Sequence, residues 1–161
     1  MFFRHPLNWD GYIDRRRPLS PNLKRIDVAY VLVVDPENGK ILVVEQTAGG
    51  WSLPGGVVEA GETLAEAAAR EAEEEAGFKV TIGPLLAVTE RLWRSHDIFY
   101  VFAATIVGPG SIQVDPNEIS RSAWVSPDEA QRLMPYWRIS IANLVGKEGA
   151  AYHALGEPAS S

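Results

Sequence analysis

From residue 27 the chain reads DVAYVLVVD, then PENGK, then ILVVEQ. Two apolar, β-branched runs joined by Pro, Asn and Gly predict a hairpin. The Gly49-Gly50 break and WSLPGGVVEAGE lead into an alanine- and glutamate-rich stretch that predicts a helix over about Thr63–Ala76, with Gly77 at its C-terminal end. Strand-like runs follow at Lys79–Ile82, Leu85–Glu90, Ile98–Ile106 and Ser122–Val125. Ser126-Pro127-Asp128-Glu129 reads as a capping box, with serine as N-cap and proline at the first helical position, opening a short helix to about Met134. A last helical stretch covers about Ile139–Lys147. Strands on both sides of a mid-chain helix, with more helix at the end, predict one α/β domain over residues 26–150, a mixed sheet covered on both faces. Residues 1–25, with Arg15, Arg16 and Arg17, lack periodicity and read as a basic, aromatic arm; residues 151–161 read as a fraying tail.

On a helical wheel, Glu74 and Glu75 fall about 60° to one side and about 40° to the other side of Glu71, so three carboxylates share one face. Arg70 lies between Glu66 and Glu73 in spacing, which predicts pairing on the solvent side. Ala65, Ala68, Ala69, Ala72 and Ala76 form another arc, small enough for the helix axis to lie close to a sheet. Like charges within one turn repel, and a divalent cation bound by carboxylate and carbonyl oxygens offsets the repulsion. Taken alone, the Glu73–Glu75 run reads more readily as a solvated stripe than as a metal site.

Composition narrows the chemistry. The 161 residues include no cysteine and only three histidines, which removes thiolate metal sites, disulfides and cysteine nucleophiles and leaves oxygen ligands for a metal. That favours Mg²⁺, with Mn²⁺ as the alternative. With 21 acids against 15 bases the net charge is −6, which argues against a stable nucleic-acid complex. Seven acids and one base lie between Gly56 and Phe78, so this segment holds the whole surplus and the remainder is neutral. No run approaches the ~20 apolar residues that span a bilayer, and the N-terminal residues lack a signal-like apolar stretch, so the reading is cytoplasmic, without a membrane partner.

Gly56-x5-Glu62-x7-Arg70-Glu71-Ala72-x-Glu74-Glu75-x-Gly77-Phe78 resembles the signature of the Nudix (MutT-like) hydrolases, GX5EX7REUXEEXGU with U a bulky aliphatic or similar residue. Ala72 is the departure, standing where a larger aliphatic is usual. The resemblance covers about Arg25–Arg132 and implies an α/β/α sandwich whose box forms a catalytic loop–helix–loop beside a mixed sheet. It implies metal binding by Glu71, Glu74, Glu75 and the main-chain carbonyl of Gly56, with Glu62 and Arg70 holding loop and helix together. Glu59 is near enough to join through a water.

The implied reaction is metal-dependent hydrolysis of a diphosphate linkage in a nucleoside diphosphate derivative or nucleotide, by water attacking phosphorus. The base that prepares the water is a box acid, Glu71 or Glu74, or the later acid Glu118, with His96 as a third choice. Subfamily markers for ADP-ribose, dinucleoside polyphosphates or NADH are not met; Trp93, Arg94 and Ser95 occupy that region. Arg91 and Arg94 are the candidate phosphate contacts. Trp51 is a candidate base-stacking residue, with Tyr30, Trp93, Phe99 and Tyr100 as further aromatics. The alternative function is a catalytically silent nucleotide-binding module of the same fold, which usually lacks box glutamates. Family members are often homodimers, and the same partner is open to this chain.

Overall fold

A computed structural model of the protein describes residues 22–110 and 116–155. The Arg15–Arg17 run lies outside them. The chain order is β1 (Arg25–Val33), β2 (Ile41–Gln46), β3 (Trp51–Ser52), β4 (Gly55–Val57), α1 (Leu64–Ala76), β5 (Val80–Leu92), β6 (His96–Ile106), β7 (Ile119–Val125), α2 (Pro127–Leu133) and α3 (Ile141–Leu144). A mixed four-stranded sheet runs β4-β1-β6-β5, with β1 and β6 parallel, and a three-stranded antiparallel sheet runs β3-β2-β7.

The period of two along β1 explains the layering. Val28, Tyr30 and Leu32 face a core with Ala130 and Met134 of the α2 region and Ile141 and Leu144 of α3, whereas Ala29, Val31 and Val33 face Ala68, Ala72 and Ala76 of α1. Helices therefore cover both faces of one mixed sheet, the expected α/β/α sandwich.

Four sequence expectations need correction. β1 and β2 do not form a hairpin ladder: they share the isolated Val34–Ile41 bridge and then diverge into different sheets. β4 and β6 occupy both edges of β1, so no edge is left for β2. The two runs after α1 are one strand, β5, whose pairing with β6 shifts register between Ile82 and Leu85 and again before Ala87. The last helix is a single turn, and Ser140 caps it. In α1, Ala67 is fully buried while Ala65 and Ala69 are only half-buried, so the apolar arc is rotated toward the acidic face.

Both predicted starts of the longer helices are present. Thr63 accepts the Glu66 N–H at 3.2 Å and Glu66 returns a bond to the Thr63 N–H at 2.7 Å, a complete capping box that also engages Glu66 away from Arg70. Ser126 accepts the Glu129 N–H at 3.1 Å, with Pro127 opening α2.

Candidate active site

Helix α1 lies against β4, and the contact is unusually close. A Cβ at Gly56 would stand 2.4 Å from Glu71 Oε1, so a larger residue there would displace the Glu71 carboxylate from this seam. One turn on, Glu75 enters the same seam: its carboxylate accepts the Gly55 N–H at 3.0 Å and the Gln46 amide at 3.3 Å. Only 6% of Glu75 is exposed, against 54% of the Glu74 side chain. The three carboxylates that share a helical face thus differ in depth.

Burial sets their proton affinity. Desolvation pushes the Glu75 carboxyl up to about 8, reinforced by the charges of Glu71 and Glu118 and opposed by the bonds from Gly55 and Gln46. Desolvation also raises Glu71, with Glu74 and Glu118 adding to it and Arg70 opposing. These acids stabilise a positive partner more than an isolated exposed set does.

Arg70 turns toward the site rather than to Glu66 and Glu73, which corrects the solvent-side expectation. Its Nε and Nη2 donate to Glu62 at 2.6 and 3.0 Å, and Nη2 also reaches the Val57 carbonyl at 3.2 Å. Nη1 donates to Glu71 at 2.9 Å and to Glu74 at 3.1 Å. The planar fork thereby pins loop, strand and helix at once. Glu62, lowered chiefly by Arg70, also accepts the Glu59 N–H at 3.0 Å. Among the described residues, no three acids converge at metal-ligand spacing, and Arg70 Nη1 bridges Glu71 and Glu74.

A cleft of about 830 Å³ opens beside this helix face. It brings together Gly56, Glu59, Glu71, Glu74, Glu75 and Glu118 with Arg91 and Arg94. Glu118 is held there because its carbonyl accepts the Thr47 N–H at 2.8 Å. Trp93 is half exposed in the cleft, with the Arg94 guanidinium 4.8 Å from its ring. Three expected residues lie elsewhere. The Trp51 ring is stacked under Arg121 and is not part of the cleft lining. His96 pairs with Glu90, outside the lining. Tyr100 bonds Asp27 and Arg25 at the sheet end.

A second, mainly apolar cavity of about 330 Å³ shares Phe99 with the cleft and is lined by Tyr30, Tyr136 and Trp137. Sequence reasoning missed Gln46, the Gly55 N–H and Asp97, which the cleft also contains. Asp97 alone left a trace in the sequence, as an acid directly ahead of the apolar run of β6.

With this geometry in place, likeness to known proteins becomes informative. The NUDIX domain model matches residues 24–144. A MutT-like protein of Streptomyces ambofaciens is 32% identical over 136 residues, 83% of this chain and 84% of that protein. Phosphatase NudJ of Escherichia coli is 37% identical over 109 residues, covering 63% of this chain and 69% of NudJ. The crystal structure of the MutT protein from Methanosarcina mazei Go1 superposes with a TM-score of 0.64 at 26% identity, over 78% of this chain and 96% of that one. The chain therefore belongs to the Nudix hydrolase family and is a Nudix-type pyrophosphohydrolase.

Proposed function

We propose that the cleft hydrolyses a diphosphate linkage in a nucleoside diphosphate derivative, with Mg²⁺ or Mn²⁺ held by Glu71, Glu74, Glu75 and the Gly56 carbonyl. The observation that carries this reading is the paired burial of Glu75 and Glu71 beside the glycine strand, where desolvation raises both carboxyls. A hard divalent ion suits such an all-oxygen donor set. When bound, it neutralises phosphate oxygens and the leaving oxygen. Arg70 Nη1 bonds a single oxygen of Glu71 and a single oxygen of Glu74, so each carboxylate keeps its second oxygen for the ion while Nε and Nη2 hold Glu62.

The chain's own groups complete the reaction. Glu118, on the loop tied to Thr47, accepts the proton of the attacking water, and Glu74 is the alternative base. Arg91 and Arg94 bind the phosphates from the opposite side of the cleft. The aromatic cavity beyond Phe99 is placed to take the group attached to the diphosphate, and its stacking walls suit a planar one. Trp51 has no part in substrate binding in this account.

Hydrolysis in ¹⁸O-labelled water tests the chemistry. The account predicts label in a phosphoryl product, with Mg²⁺ required; label in a non-phosphoryl alcohol contradicts attack at phosphorus.

A further inference from the structure

Outside the box, Asp97 is the buried carboxylate among the described residues, only 3% exposed. It sits in the cleft wall on β6, in direct register with Arg91 on β5. Arg91 Nε donates to Asp97 Oδ2 at 2.8 Å, and Nη2 donates to the same oxygen. The other oxygen, Oδ1, accepts the Ser95 hydroxyl. Ser95 in turn closes the β5–β6 turn, its carbonyl accepting the Trp93 N–H at 3.1 Å. One carboxylate therefore anchors both the arginine and the turn that carries Trp93 and Arg94.

The guanidinium so held lies over a ring: its central carbon is 5.3 Å from the Phe99 centroid. Two fixed contacts define its plane, and a planar donor fork held in advance loses less conformational freedom when an anion arrives. Strand order sets the span. The Glu71–Gly56 seam is on β4 at one edge of the sheet and Arg91 is on β5 at the other, three strand spacings or roughly 14 Å apart. Arg91 reaches back over Phe99 toward the carboxylates, so its position along that line decides which part of a diphosphate it meets.

We propose that Asp97 is a positioning residue for substrate binding, fixing Arg91 against Phe99 and the 93–95 turn through Ser95 so that both arginines face the phosphates. The inference rests on the proposed hydrolysis and on Arg91 as a substrate contact.

Asp97→Glu is the informative variant, because it keeps the charge and moves the carboxylate by one methylene. Kinetics with Mg²⁺ on ADP-ribose, UDP-glucose and dGTP, using whichever the wild type hydrolyses, should show KM raised about tenfold with kcat within about twofold. In an Arg91→Lys background, which already lacks the planar fork, Asp97→Glu should add little to KM. Ser95→Ala, which cuts only the turn anchor, should raise KM several-fold while the melting temperature stays near wild type; it carries the test should Asp97→Glu fail to fold. A KM unchanged in Ser95→Ala, or KM effects of Asp97→Glu and Arg91→Lys that multiply independently, overturns the positioning role. An unchanged KM in Arg91→Lys removes its premise, and a wild type inactive on a broad panel of diphosphates removes the hydrolysis reading itself.

Discussion

The Glu75 carboxylate bonds the backbone N–H of Gly55 at 3.0 Å, joining α1 to β4 across 20 residues of chain. The bond places an ionisable group inside the seam between helix and strand, where its charge is poorly solvated. Glu75→Gln should therefore stabilise the metal-free protein at pH 8, since a neutral amide avoids that penalty and its carbonyl still accepts from Gly55. The same change should lower metal-stimulated turnover by at least about 100-fold. Thermal melting without metal, alongside steady-state turnover with Mg²⁺, checks both halves.

The sign of the pH dependence follows from the same group. Glu75 is raised from 4.5 to about 8 and Glu71 is raised in the same direction, so the folded state keeps protons that the unfolded chain has lost. Their stabilising contribution is complete below about pH 4.5 and declines as pH rises toward about 8. Metal-free melting temperature should fall across that window, and Mg²⁺ should raise it more at pH 8 than at pH 5. Glu75→Gln should flatten the slope; an unchanged slope would assign it to other groups.

Arg70 has a structural role that lysine cannot reproduce. It bonds Glu62, Glu71, Glu74 and the Val57 carbonyl through a single fork. The side chain is 24% exposed, so solvent screening moderates the loss, and Arg70→Lys should cost about 1–3 kcal/mol in denaturant unfolding. A cost near zero would show that the network is dispensable.

Glu118→Gln separates the two candidate bases. Glu118 is exposed and its backbone, not its side chain, ties the loop to Thr47, so the fold should be unaffected. As the base, it should lower kcat by roughly 10²–10⁴-fold with little change in KM. Full kcat in this variant would pass the role to Glu74.

The box was legible because its chemistry is local: carboxylates at helical spacing, a capping threonine, and Gly77 in the left-handed conformation at φ 76° where the helix stops. What sequence spacing could not reveal depends on distant partners. Nothing within DVAYVLVVDPENGKILVVEQ states that β4, beyond the Gly49-Gly50 break, takes the strand edge a hairpin would use. Nor does the helical wheel show whether Arg70 turns to Glu66 or to the loop, since the capping box had already engaged Glu66. The wheel put Glu71, Glu74 and Glu75 on one face, but their unequal depths come from β4 passing at Gly55 and Gly56. The Trp51 side chain was ambiguous for a like reason: its neighbour Arg121 lies on β7, 70 residues away.

In the proposed reaction the carboxylates of α1 hold a divalent ion for diphosphate hydrolysis. The most direct test is Mg²⁺ titration of chelator-stripped wild type and Glu74→Gln, following phosphate released by a coupled phosphatase from nucleoside diphosphate derivatives. Glu74 is exposed, so the substitution should leave the melting temperature of the metal-free protein near wild type. The account predicts Mg²⁺-stimulated hydrolysis by the wild type and its abolition in Glu74→Gln; undiminished turnover in the variant would contradict it.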